Sequence, residues 1–161
     1  MKLDLNGAQA ILDYLQHQTN KGNLHVASVS GTIGAAGTIA LSITTPDTTK
    51  KTCLSIAVNA NKAGNFIVAE GDVITGGSSV TAYNMNRNSA VTYGGTLTKD
   101  ATRSTPGTTM KTTIVGAPGV FAWSDRPGAF MKLLGNTTYT ILFTADGAST
   151  AVSIEVAVYE E

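Results

Sequence analysis

From Leu24 onward the apolar residues of this chain recur at every second position, in one short segment after another. A period of two sends alternate side chains to opposite faces of a strand, so each segment can bury one face and wet the other. Residues 24–30, 38–44, 52–60, 66–69, 79–83, 90–93, 96–98, 108–115, 139–144 and 151–159 all read as strands on this basis. Glycine, proline, asparagine and aspartate punctuate them, and 31–37 and 145–148 read as hairpin turns. Residues 99–107 and 116–128 are polar or rich in turn formers and read as loops. Short strands at that spacing predict a mainly β fold, an antiparallel β-sandwich or barrel of jelly-roll-like type. Abundant threonine agrees, because its branched side chain suits a pleated surface.

Before Gly22 the period is different. Ala8, Ile11, Leu12 and Leu15 fall at i, i+3, i+4 and i+7, one stripe of a helix that Asn6 can cap and Asn20-Lys21-Gly22-Asn23 can stop. A helix of this length is marginal alone in water. Its stripe must dock, so Ile11, Leu12 and Leu15 are candidate interface residues. The expected organisation is an N-terminal helical arm, 1–23, and a β domain, 24–161.

Charge narrows the function. Eleven basic and eleven acidic residues cancel, and charged residues make up 14% of the chain, against a usual ~25%. Lys50-Lys51 is the single adjacent basic pair, which argues against a nucleic-acid partner. A neutral, charge-poor chain fits a protein that buries surface in an assembly. No apolar run is long enough for a membrane-spanning helix, and residues 1–7 lack the apolar core of a signal peptide, so no membrane partner and a cytoplasmic origin are expected. Cys53 is the lone cysteine, within an alternating stretch that makes it a small buried hydrophobe rather than a reactive thiol.

No catalytic constellation stands out. His17 and His25 read as surface or interface residues, without a nucleophile elbow to serve. Glu70 and Asp72 flank Gly71, yet they lack the spacing of a calcium loop and lie too close in sequence to straddle a glycosidic bond. Zinc would need more ligands than the chain's three Cys and His residues. The expectation is therefore no enzyme activity, no metal and no cofactor. Two clusters suit contacts instead. In Tyr83-Asn84-Met85-Asn86-Arg87-Asn88-Ser89, asparagines can pin a turn while Asn84, Asn86 and Arg87 can also meet a subunit or a glycan. Trp123, beside Asp125 and Arg126, is either an interface anchor or a sugar-stacking ring.

Phe66-Ile67-Val68, a glycine-bearing loop, and Val80 to Tyr83 leading into that asparagine cluster resemble a pattern in small phage virion proteins. So does Met131-Lys132-Leu133-Leu134-Gly135-Asn136-Thr137-Thr138-Tyr139-Thr140-Ile141-Leu142. The ending Val156-Ala157-Val158-Tyr159-Glu160-Glu161 looks like the aromatic-Glu ending of head decoration, or cement, proteins of tailed bacteriophages. The likeness spans residues 54–161 and leaves the helix outside it. It implies a virion protein, assembled in the host cytoplasm, that binds the outer capsid surface and stabilises the head. Its implied partners are the major capsid protein and further copies of itself, as a homotrimer. The residues alone leave open a carbohydrate- or receptor-binding β-sandwich, of a tail or adhesin component, that uses Trp123 or Tyr83.

Overall fold

The computed structural model describes Tyr14 and residues 16–116, 119–122 and 130–161. Tyr14 and residues 16–21 are helical. Among the described residues the strands are β1 (Leu24–Ile33), β2 (Thr38–Thr44), β3 (Thr52–Ala60), β4 (Gly64–Glu70), β5 (Val73–Thr75), β6 (Ser78–Ser79), β7 (Tyr83–Asn84), β8 (Thr96–Lys99), β9 (Thr102–Thr105), β10 (Thr108–Val115), β11 (Gly119–Ala122), β12 (Met131–Lys132), β13 (Thr138–Ala145) and β14 (Thr150–Glu160).

Eight of these strands build a frame with a simple rule. First pairs with last (β1 with β14), second with seventh (β2 with β13), third with sixth (β3 with β11) and fourth with fifth (β4 with β10), all antiparallel. These nested pairs fall into two sheets, β11-β3-β14-β1-β7 and β10-β4-β13-β2-β8-β6. The protein is a β-sandwich with jelly-roll connectivity. A two-stranded ribbon of β5 and β9 stands apart from both sheets.

The sandwich closes around the inward faces of both sheets. Tyr139, Phe66, Phe143, Leu41, Ile43, Leu54, Ile56, Ile141, Ile154, Val58 and Val68 are fully buried. Phe66 and Phe143 stand opposite each other in the β4–β13 register. Each such side chain removed from water contributes about 1.5–3 kcal/mol before the entropy of ordering it. The second sheet is covered on its outer side too. Ala40, Ser42, Ala69 and Thr140 are buried, Ser42 and Thr140 share a hydroxyl hydrogen bond of 3.1 Å, and the Asp100 N–H reaches the Ala40 carbonyl. From the excursion between β4 and β10, Asp72 accepts a hydrogen bond from the Thr140 side chain on this side.

Several expectations meet corrections here. Residues 31–37 and 145–148 are corners rather than hairpins, because each joins a strand of one sheet to a strand of the other. The same turn residues serve both purposes, and the corners are tied to each other by Ala36 N–H to Ala145 O and Ala145 N–H to Gly37 O. The expected strand at 79–83 is split: Ser78–Ser79 joins the second sheet and Tyr83–Asn84 the first. Between them Val80 and Ala82 pack against the core from its open side. Residues 90–93 form no strand, and Tyr93 is buried by packing instead. The stretch read as a polar loop, 99–107, contains β9, and 116–128 contains β11.

Candidate interaction surface

Beyond the core, three sets of polar side chains do distinct jobs. The first begins at the helix end. Gly22 holds φ +75°, a left-handed conformation that a side chain resists. There the Asn23 N–H bonds to the Gln18 carbonyl and the Gly22 N–H to that of Thr19, the paired bonds that end a helix on glycine. A Cβ on Gly22 would also collide with Ser89. Asn84 closes this junction. Its amide donates to Gly22 O at 2.7 Å and Val91 O at 2.8 Å, and its carbonyl accepts from Asn86 N–H at 2.8 Å. Asn86 repeats the move, donating to Asn20 O at 3.0 Å and accepting from Asn88 N–H at 3.1 Å. Beneath lies His25, 1% exposed, with Nδ1 3.1 Å from Asn23 O and Nε2 3.2 Å from Val91 O. His25 is thus a core residue, against the expectation of a surface or interface one, whereas His17 is exposed.

The second set clamps the excursion. Asp72, 4% exposed, receives Arg103 Nε at 2.6 Å and Nη2 at 2.8 Å, and the Gly107 N–H at 2.6 Å. Burial pushes its carboxyl up, but hydrogen bonds from Arg103, Thr140 and Gly107, with the Arg103 charge, outweigh burial and hold it below the usual carboxylate range. Glu70, on the other side of Gly71 (φ +78°), turns elsewhere and accepts from Tyr139 Oη at 2.7 Å. Burial and that carboxylate push the Tyr139 phenol up to about 12. The two acids therefore form no pair. Among the described residues, no three His, Cys, Asp or Glu side chains gather as metal ligands.

The third set gathers the C-terminal residues. Tyr159 packs edge-on against Tyr14 and Phe130, with ring centroids 5.8 and 4.9 Å away. Glu161 accepts from Tyr14 Oη at 2.7 Å and pairs with Lys132 at 2.8 Å. Glu160 accepts the Gly94 N–H at 3.2 Å. Cys53 is fully buried beside them, and burial pushes its thiol up, against a smaller lowering by Tyr159. The described part of the helix thus docks on its own domain through Tyr14. Tyr14 and Glu161 stand 147 residues apart, so no local pattern in the sequence points to this pairing.

What remains open lies along β1. Among the described residues its outer side has no strand partner after Val26, since β7 pairs with His25 and Val26. A groove of about 600 Å³ runs there, lined by Val26 to Ser30 of β1, by Ser79 to Thr81, Tyr83, Met85 and Lys99, and by Glu155 of β14. Tyr83 is 57% and Met85 47% exposed, and the Arg87 guanidinium stands 5.7 Å from the Tyr83 ring centroid. Of the candidate residues, Asn84 and Asn86 are joined in the internal pin and Arg87 faces outward over Tyr83. Ile11, Leu12, Leu15 and Trp123 lie outside the described residues.

No protein-family model and no curated protein matches the chain. Among solved structures it is similar to one described as "Crystal structure of PirA", with a TM-score of 0.37 and 12% identity, over 83% of this chain and 93% of that one. So loose a likeness carries no inference.

Proposed function

We propose that this chain is a non-enzymatic structural protein of a tailed-bacteriophage particle, a decoration subunit that binds the outer capsid surface and its own copies. The observation that carries this reading is the contrast between occupied and open groups. Asp72, Glu70, Glu160, Glu161 and His25 each bond to other parts of the chain, while Tyr83 and Met85 stand exposed at a groove along a strand edge that is unpaired among the described residues. Groups arranged in that way suit contact with other proteins better than turnover of a substrate. Jelly rolls recur in capsid proteins, although they recur in lectins as well, so the fold adds only an analogy. A carbohydrate-binding module would want an aromatic face free at a groove. Tyr83 is exposed at one, but its ring already carries the Arg87 guanidinium.

The test is assembly. Light scattering on the purified chain should give the mass of a trimer, and the chain should sediment saturably with phage heads stripped of their outer proteins. A monomer at high concentration with no affinity for heads would end the reading.

A further inference from the structure

The open half of β1 has a polarity that can be read residue by residue. The Met85 N–H bonds to the Leu24 carbonyl, so Leu24 directs its backbone groups toward β7, away from β14. In an antiparallel strand that direction repeats at every second residue. Val26 is met by Tyr83. Ser28, Ser30 and Thr32 then present N–H and C=O groups outward, and among the described residues none of these groups has a protein partner. The β1–β14 register runs without a shift from Leu24 to Ile33, so no bulge twists the edge away. The outward positions carry no lysine or proline, the residues that usually blunt such an edge.

We propose that this groove is a binding site for an extended segment of another protein, which adds to the first sheet as a strand along β1. Ser79 to Thr81, Tyr83 and Met85 line the same groove as the edge residues Val26 to Ser30. An extended chain needs only the outward N–H and C=O groups that this edge offers at Ser28, Ser30 and Thr32. From Ser28 to Thr32 the edge runs about 14 Å, enough to pair roughly five ligand residues. Backbone bonds supply affinity and side-chain contacts choose the ligand. Lys99, on β8 of the second sheet, and Glu155, on β14 of the first, both line the groove, and among the described residues neither forms an ion pair. The favoured segment alternates β-branched and polar residues and carries an acidic side chain toward Lys99 and a basic one toward Glu155. This inference does not rest on the capsid reading, because any protein with such a segment qualifies.

A displayed library of random seven-residue peptides, panned against the full chain, tests it. Selected peptides should carry both charges, and when bound they should slow hydrogen exchange at the Ser28, Ser30 and Thr32 amides at least tenfold. N-methylation of alternate peptide amides should abolish binding in one phase and spare it in the other, a result independent of any change to the protein. Lys99→Glu should weaken binding about tenfold, and replacing the acidic residue of the peptide by lysine should restore it. The proposal is overturned if no peptide enriches, if bound peptides leave those three amides unprotected, or if the groove instead takes a glycan on an array in a Tyr83-dependent manner. Binding to phage heads with no peptide selected would sink this inference and leave the decoration reading standing.

Discussion

The two halves of β1 are built from similar residues and end in opposite states. At its start, Leu24 and Val26 meet β7, and His25 sits under Asn84 with both ring nitrogens at carbonyls. A few residues on, Ser28, Ser30 and Thr32 have the same backbone groups and, among the described residues, no partner on that side. The difference lies in the crossing segment, which touches β1 at Tyr83–Asn84 and then leaves it. One strand therefore supplies both an anchorage and an opening, and a buried polar network can hold a neighbouring edge rigid while leaving it free.

The comparison breaks first at the clamp. Asp72→Ala leaves the Arg103 guanidinium and the Gly107 N–H without their acceptor. The expected loss is about 3–5 kcal/mol in urea unfolding, the range for removing one partner of a buried pair. Since the Asp72 carboxyl is held below its ordinary value, its stabilisation is present above the unfolded value of about 3.9 and is lost as pH falls through the folded one. Wild type should lose more stability than Asp72→Asn between about pH 5 and about pH 2. Equal losses would place the acid sensitivity elsewhere.

Asn84→Ala comes next. It removes the donors to Gly22 O and Val91 O and the acceptor for Asn86 N–H, at about 1–3 kcal/mol for the groups left unpaired. Hydrogen exchange should quicken at Asn86 and at the helix end together. A loss confined to the loop would mean that the helix does not depend on the pin. The smallest effect belongs to Tyr83→Ala, a half-exposed ring whose removal should move stability by no more than about 0.5 kcal/mol. A larger loss would mark Tyr83 as part of the anchorage.

Much of the frame was legible. β2, β3 and β10 occupy the residues that their alternation predicts, and β13 and β14 extend the predicted strands by about a residue at each end. Alternation states that a strand has a buried face but not which sheet receives it, so two corners read as hairpins. It also left the facing of β1 ambiguous, because Leu24 and Val26 compete with Ala27 and Val29 for the inside. The inward set is His25, Ala27 and Val29, opposite Val158, Val156 and Ile154. The candidate site was half legible. The asparagine cluster is where the residues put it, and its pinning reading matches the bonds observed. The Asp72–Arg103 clamp joins residues 31 apart, a separation over which no local pattern speaks.

Nested pairing has a consequence for the order of events during synthesis. β14 sits between β3 and β1, so two strands made early share a neighbour that leaves the ribosome after both sides of the second sheet exist. Until residues 150–160 arrive, the first sheet has a gap at its middle and its apolar faces must wait. Contacts so distant along the chain make for slow folding and a spell of exposure to aggregation. The first sheet is in that sense completed at β14 rather than accumulated along the way.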